Sequence, residues 1–73
     1  MDGSAREWIS RFAAEIGADP PDETTVEQLL ELAGVAAHSS ERIAAPIACW
    51  MAGVAKTEPS EAIAIAKRIG GEG

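Results

Sequence analysis

One uncharged, apolar segment constrains the fold of this chain more than any other feature of its sequence: it runs from Ile43 to Ala55. Its large side chains recur at the i, i+3, i+4, i+7 spacing of one helix face: Ile47, Trp50, Met51 and Val54. A helix that is apolar all round lies in a protein core or in a membrane, and this segment is shorter than the roughly 20 residues that cross a bilayer. The segment therefore predicts a third helix at the centre of a core, which the rest of the chain covers.

The length and the cysteine content limit how such a core is stabilised. The 73 residues predict one domain over residues 1–73, with flexible ends at about 1–4 and 70–73, near the lower size limit for independent folding. Cys49 is the one cysteine, so no internal disulfide forms, and a single histidine adds too little to make a structural zinc site. Stability must come from well-packed helices, with help from a partner or a second copy.

The charge and the N-terminal residues exclude several classes of function. Twelve acidic and six basic residues give a formal net charge of -6, which repels phosphate backbones and anionic lipids. Nucleic acid and membrane surfaces are therefore not expected as partners. The first residues have neither a basic start nor an apolar run, so no signal peptide is expected, and a lone buried cysteine fits a reducing compartment. The prediction is a cytoplasmic protein.

Capping and periodicity predict a first helix from about Ala5 to Ile16. A capping box that begins at Ser4 precedes this helix, and Gly17 stops it. Trp8 and Phe12 are expected to supply most of the area that this helix buries. The proline-containing loop that follows carries three carboxylates, but their spacing is not that of an EF-hand, so a solvated loop is expected rather than a metal site.

The second helix is expected from about Val26 to His38, after a capping box that begins at Thr24 or Thr25. Its apolar stripe and the flanking positions are Val26, Leu29, Leu30, Leu32, Ala33, Ala36 and Ala37. Gly34 lies inside this helix, where a glycine lowers the stability of the helix by ~1 kcal/mol. The close approach of another helix would explain why a glycine is present there.

The third helix is expected to start at Pro46, with Ala45 as its cap, because the residue before a proline avoids helical dihedral angles. A fourth helix follows a polar segment with Pro59 in the first turn and ends at Gly70. Its apolar face consists of Ala62, Ile63, Ala66 and Ile69, with Ile65 beside them. The sequence thus predicts an all-α fold, a small four-helix up-and-down bundle around a central apolar third helix.

The candidate functional residues lie in the polar turn before the third helix: His38, Ser39, Ser40 and Arg42. Two cations and two hydroxyls close to free backbone N–H groups have the chemistry to bind a small anion or a partner's carboxylate. In the structural alternative, which we favour, Arg42 pairs with Glu41 or Glu31 and locks the turn. His38 then bonds the carbonyls at the end of the second helix.

No catalytic, cofactor or metal residue is predicted. Cys49 lies in the most apolar part of the chain, where a small core side chain is a commoner role than a nucleophile. Neither Cys49 nor His38 is accompanied by a Gly-rich oxyanion turn. Trp8 and Trp50 are expected as core anchors rather than as a platform for stacking a ligand.

The segment from Ala37 to Pro46 resembles the Ala-His-x-x-x-Arg-x-Ala-Ala-Pro segment of a small, mostly actinobacterial domain, the domain of unknown function 6457. Trp8 matches an early tryptophan of that domain, and the resemblance covers about residues 7–69. The residues at matching positions of the central segment are His38, Arg42, Ala44, Ala45 and Pro46. The resemblance implies a domain that occurs alone or fused behind a molybdenum cofactor guanylyltransferase domain, and hence a link to molybdopterin metabolism.

Two functions follow as hypotheses. The first is a non-enzymatic accessory module, a monomer or weak homodimer, that docks on a protein partner such as a molybdenum cofactor guanylyltransferase or a molybdoenzyme. The second is a small anionic-ligand-binding protein or minor enzyme that uses His38 and Arg42. The marginal core, the helical build and the absence of a catalytic set in the sequence favour the first.

Overall fold

The computed structural model describes residues 3–71 and contains four helices in that range. They are α1 (Gly3–Ile16), α2 (Glu23–Ser39), α3 (Ala44–Val54) and α4 (Pro59–Ile69). The described part of the chain has no strand. The prediction of an all-α fold, a small bundle of four helices, is confirmed. Of the flexible ends predicted at about 1–4 and 70–73, residues 1, 2, 72 and 73 lie outside the described residues.

The second helix, rather than the third, is central. Both α3 and α4 pack against α2, whereas α1 makes little contact with the other helices. Leu32 of α2 is the most buried residue, with 2% of its surface exposed, and it forms the core with Ala62 and Ile63 of α4. Cys49 and Ala52 of α3 pack against the edge of this cluster.

The prediction that α3 is a buried central helix is wrong, because none of its residues is buried. Its small residues face the core side and are half-buried: Ala44, Ala45, Ala48, Cys49 and Ala52. Its large residues point outward, and Trp50 is 69% exposed. Small side chains let α3 approach α2 closely. The i, i+4, i+8 row of alanines at 44, 48 and 52 therefore forms the packing face, and the row of large side chains is left outside.

The prediction that Trp8 and Phe12 anchor α1 in the core is also wrong. Trp8 is 63% and Phe12 50% exposed, and Ala13 is the buried residue of this helix. Ile9, one turn before Ala13 on the same side of the helix, is half-buried. The face with the smaller residues therefore packs on the domain, as in α3.

The helix starts differ from the expected ones at three places. Helix α1 already includes Gly3, so Ser4 lies in its first turn instead of capping it. Helix α2 is capped by Asp22, whose side chain accepts a hydrogen bond from the backbone N–H of Thr25. Helix α3 begins at Ala44, and Pro46 is its third residue, where the missing N–H costs nothing because the first N–H groups of a helix have no intrahelical acceptor.

Two ion pairs tie helices to α2. Arg6 of α1 pairs with Glu23 at the start of α2, and Lys67 of α4 pairs with Glu31, with Nζ and Oε2 3.4 Å apart. All four side chains are about half exposed, so each pair stabilises the fold by only about 0.2–1 kcal/mol. The ends of α2 and α4 also meet: a Cβ on Gly70 would lie 3.2 Å from Cβ of Ser39.

The glycine inside α2 does not mark a close approach. A Cβ on Gly34 would meet no atom within 4 Å, so the expectation of tight helix contact at this position is wrong. Of the apolar residues expected to face the core, Leu30 of α2 and Ile69 of α4 are strongly exposed. Ala62 and Ile63 of α4 are buried as expected.

Candidate functional site

The four residues of the polar turn lie together at the end of α2, and all four are exposed: His38, Ser39, Ser40 and Arg42. The backbone N–H of Ser40 donates to the carbonyl of Ala36, which closes the last turn of α2. The carbonyls of Glu41 and Arg42 accept bonds from the N–H groups of Ala44 and Ala45, so a tight turn leads directly into α3.

The expected ion pairs of the turn do not form. Glu31 pairs with Lys67 instead of Arg42, and within residues 3–71 Arg42 has no acidic partner. The imidazole of His38 likewise makes no hydrogen bond within that range. The turn therefore presents the exposed side chains of His38 and Arg42 and two hydroxyls to solvent, without walls to exclude water from a bound anion.

The largest exposed apolar feature is the outer face of α3, here called the α3 surface: Ile43, Ile47, Trp50, Met51 and Val54. Each of these side chains is between 58% and 72% exposed. Neither α3 itself nor Ile43 before it carries a charged side chain. Large apolar patches of this kind on a small protein are typical of interaction surfaces.

A groove adjoins the α3 surface. It lies between α3 and α4, with Leu32 of α2 at its base, and encloses about 310 Å³. Ala48, Met51 and Ala52 form one wall, and Ile65, Ala66 and Ile69 contribute to the other. Met51 belongs to both features, so the α3 surface and this α3–α4 groove form one continuous apolar region.

A second apolar face lies on α1, here called the α1 surface: Trp8, Phe12 and Ile16. The rings of Trp8 and Phe12 are stacked, with centroids 5.1 Å apart and planes inclined by 10°. A shallow groove of about 310 Å³ runs along these rings and is bordered by Arg11 and Glu15. Within the described range, Arg11 and Glu15 form no ion pair.

The protein has more accessible surface than a compact monomer of its mass. The accessible area is 5517 Å² for 7.6 kDa. A monomer of this mass has about 4,300 Å², so the excess is about 1,200 Å². The radius of gyration, 12.7 Å, also exceeds the roughly 11 Å expected for a compact domain of this length. The excess is as large as the area that one protein contributes to a stable interface, about 800 Å² or more.

Burial disfavours ionisation of the Cys49 thiol. Its thiol is partly buried and lies 3.8 Å from the carbonyl oxygen of Leu29, to which it donates a weak hydrogen bond. Burial raises the pKa of the Cys49 thiol, because the thiolate would lose solvation. At neutral pH the side chain is therefore a thiol, whereas the nucleophile in cysteine chemistry is the thiolate.

Comparison with known proteins assigns the chain to a family. The family model described as a domain of unknown function (DUF6457) matches residues 2–70. The chain belongs to the DUF6457 family. A comparison with curated proteins and one with solved structures each gave no significant match.

Two further properties hold for residues 3–71. None of the helices there has the length and hydrophobicity needed to span a bilayer. That range also contains no cluster of three or more His, Cys, Asp or Glu side chains arranged to share a metal ion.

The sequence brought the turn residues to notice but missed the two apolar surfaces. It placed Trp50 and Trp8 in the core because large apolar side chains usually lie there. A signal for the opposite orientation was present: α3 has no polar face, so packing on one side alone leaves an apolar face in solvent. The alanine row at 44, 48 and 52 indicated which face packs inside.

Proposed function

We propose that this DUF6457 domain is a non-enzymatic helical interaction module that binds a partner protein through the α3 surface and the α3–α4 groove. The observation that carries the proposal is the outward orientation of α3, with Trp50 at its centre. Exposing an indole and four aliphatic side chains costs solvation free energy at about 25 cal/mol for each Å² of apolar surface. A partner that covers them recovers this free energy, and large aromatic side chains are common at the centre of interfaces.

The shape and charge of the region select the kind of partner. A groove between two helices with an apolar base suits the apolar face of an amphipathic helix, in which residues one turn apart insert into the groove. The chain carries a net charge of -6, so basic side chains flanking that apolar face would speed association and oppose wrong partners. We therefore infer an apolar helix with basic flanks as the bound element.

The proposed partner is a molybdenum cofactor guanylyltransferase or a molybdoenzyme. Support comes from the family resemblance, which implies fusion of this domain behind a molybdenum cofactor guanylyltransferase domain. A domain that is fused in some proteins and separate in others is commonly one that binds the same neighbour in both cases. The protonated thiol of Cys49 supports a non-enzymatic role for this segment.

Binding to a purified molybdenum cofactor guanylyltransferase, measured by titration calorimetry, tests the proposal. Met51→Glu places a charge in the region where the groove meets the α3 surface and is expected to weaken binding at least about tenfold. Leu30→Glu on α2 is the matched control, since Leu30 is 61% exposed and Met51 58%. It makes the same change of charge and should leave the affinity unchanged.

The result that would contradict the proposal is equal weakening by both substitutions, since the effect would then come from charge alone. Absence of binding to both a guanylyltransferase and a molybdoenzyme would reject the proposed partners. Circular dichroism of each variant checks that the helices remain folded.

Binding of a small anion by His38 and Arg42 is the alternative function. Both side chains are exposed, so the turn provides no enclosed site. The interaction module is preferred because apolar area on α3 is removed from water only when a partner binds.

A further inference from the structure

The α1 surface has a charge pattern that specifies a partner different from the one proposed for α3. On a helix with 3.6 residues per turn, Trp8, Phe12 and Ile16 form one stripe, and Arg11 and Glu15 both lie along the same flank of it. The opposite flank carries Ile9 and Ala13, which face the domain. The helix therefore has one apolar stripe, one inner flank and one outer flank that bears both signs of charge.

The order of these charges matches a second α1 in antiparallel orientation. In a two-fold symmetric antiparallel pair, each flank of one helix meets the corresponding flank of the other helix. The residues along the two flanks then run in opposite directions. An axis near Phe12 then brings Arg11 of each copy close to Glu15 of the other, twice. In a parallel pair, the flank with Arg11 would face Ile9 and Ala13 of the other copy, and these ion pairs would not form.

The geometry points to a homodimer of this chain in which the α1 surfaces of two copies pack antiparallel, with reciprocal pairs between Arg11 and Glu15. The stacked rings of Trp8 and Phe12 would lie at the centre of this contact, where the shallow groove beside them receives side chains of the other copy. Each copy would shield the rings of the other from water. The ion pairs at the edge would set the orientation.

The weak attachment of α1 and the total area support a second copy as the occupant. Helix α1 packs little on its own domain, so most of its apolar side chains are available to another chain. Its 14 residues extend over about 21 Å. A contact between two helices of that length lies at the small end of specific interfaces, within the excess of about 1,200 Å². We therefore expect a reversible dimer with a dissociation constant in the micromolar range.

This inference does not depend on the proposed function, because it uses another face of the molecule. A dimer through α1 leaves the α3 surface and the α3–α4 groove open for a partner. Met51→Glu should therefore leave the dimer intact, and loss of the α1 contact should leave partner binding at α3 intact. The dimer through α1 and the partner site on α3 can therefore be rejected independently of each other.

Sedimentation velocity from low micromolar to millimolar concentration tests the dimer with charge-reversed variants. R11E gives the outer flank two acidic groups, and E15R gives it two basic groups. Each variant alone should dimerise at least about tenfold more weakly than the parent, because like charges then face each other. An equimolar mixture of R11E and E15R should form a heterodimer at least as tight as the parent homodimer.

Charge reversal elsewhere provides the control for net charge. The pair R68E and E61R on α4 changes the net charge of each chain by the same amounts, at two exposed positions outside the α1 surface. An equimolar mixture of R68E and E61R should dimerise no more tightly than either variant alone. A parent chain that stays monomeric up to millimolar concentration would overturn the inference. So would a dimer that R11E and E15R leave unchanged, because its contact would lie elsewhere.

Discussion

The carboxylate of Asp22 accepts a hydrogen bond from the backbone N–H of Thr25 over 2.8 Å, and this bond defines the start of α2. An aspartate at this position satisfies one of the N–H groups that the first turn of a helix leaves without an acceptor, and its charge complements the helix dipole. The sequence suggested Thr24 or Thr25 as the cap. Asp22 takes the role because Glu23 and both threonines are already helical.

We expect the stability contributed by this cap to depend on pH. The hydrogen bonds from the backbone N–H and then the side chain of Thr25 hold the pKa of Asp22 below its usual value of 3.8. A pKa that is lower in the folded than in the unfolded state stabilises the fold above the unfolded pKa. This contribution is lost as the pH falls through the folded pKa. Asp22→Ala should therefore lower the melting temperature at pH 7, and the difference from the parent should shrink towards pH 2.

Asp22→Asn is the control for the cap. An amide oxygen accepts the same hydrogen bond but does not titrate, so this variant should lie between the parent and Asp22→Ala at pH 7. A difference between parent and Asp22→Ala that stays constant across the acid range would show that the charge of Asp22 contributes nothing.

The second prediction contrasts the core with the α3 surface. Leu32 is almost fully buried, so Leu32→Ala should cost about 2–5 kcal/mol through lost burial and the cavity that remains. Trp50→Ala removes a larger side chain but one that is 69% exposed, and it should cost less than about 1 kcal/mol. Urea denaturation of both variants at low protein concentration measures the two costs. A larger loss for Trp50→Ala would place α3 in the core.

The contrast between these two residues shows how much of the fold the sequence could predict. Helix periodicity and terminal signals depend on residues close in the chain, so the four helices and stops such as Gly17 could be placed within a few residues. Which face of a helix packs depends on the shape of its neighbours. Close packing favours the helix face with small residues, whereas the hydrophobic effect favours burial of the face with large ones. A helical sequence pattern contains both faces and therefore supports either orientation.

The third prediction concerns the end of α3. Lys56 has a left-handed backbone, with φ of 57°, and its N–H and that of Thr57 bond to the carbonyls of Gly53 and Ala52. This is the Schellman arrangement, in which glycine is the usual residue because a Cβ is strained there. Lys56→Gly should therefore stabilise the fold by up to about 1 kcal/mol in urea denaturation. Gly17, which has φ of 74° at the end of α1, provides the reverse test.

Gly17→Ala should destabilise the fold by about 1 kcal/mol, since it introduces at α1 the strain that Lys56→Gly removes at α3. If both substitutions change the stability in the same direction, the left-handed conformation is not what determines either effect.

The fourth prediction concerns the contact between the ends of α2 and α4. A Cβ on residue 70 would overlap the hydroxyl oxygen of Ser39 and lie 3.2 Å from its Cβ. Gly70→Ala should therefore cost up to about 1 kcal/mol, because the Ser39 hydroxyl must turn away and the two Cβ atoms must move apart. Adding Ser39→Ala removes the overlapping oxygen and should recover part of the loss in a double-mutant cycle. Additive effects of the two substitutions would show that the helix ends are not in contact.

For the candidate site, the sequence could bring together only residues that are neighbours in the chain. The four residues share one turn, and all are exposed in the structure: His38, Ser39, Ser40 and Arg42. The sequence could not show that Arg42 has no acidic partner within residues 3–71, because the pairing of Glu31 with Lys67 depends on how α4 packs on α2. The α1 and α3 surfaces were missed for the same reason, since exposure is a property of the packed domain.

The last prediction decides whether the polar turn binds an anion. Arg42 has no ion pair within residues 3–71, so Arg42→Ala should cost less than about 1 kcal/mol. His38→Ala should lose only its favourable interaction with the end of α2, about 0.3–1 kcal/mol. Phosphate, sulfate or a nucleotide should leave the melting temperature of the parent unchanged, because an exposed turn offers no enclosed site. A site with a useful affinity would instead raise it with increasing ligand concentration through linkage. A saturable rise that both substitutions abolish would establish an anion site and make small-ligand binding the leading function.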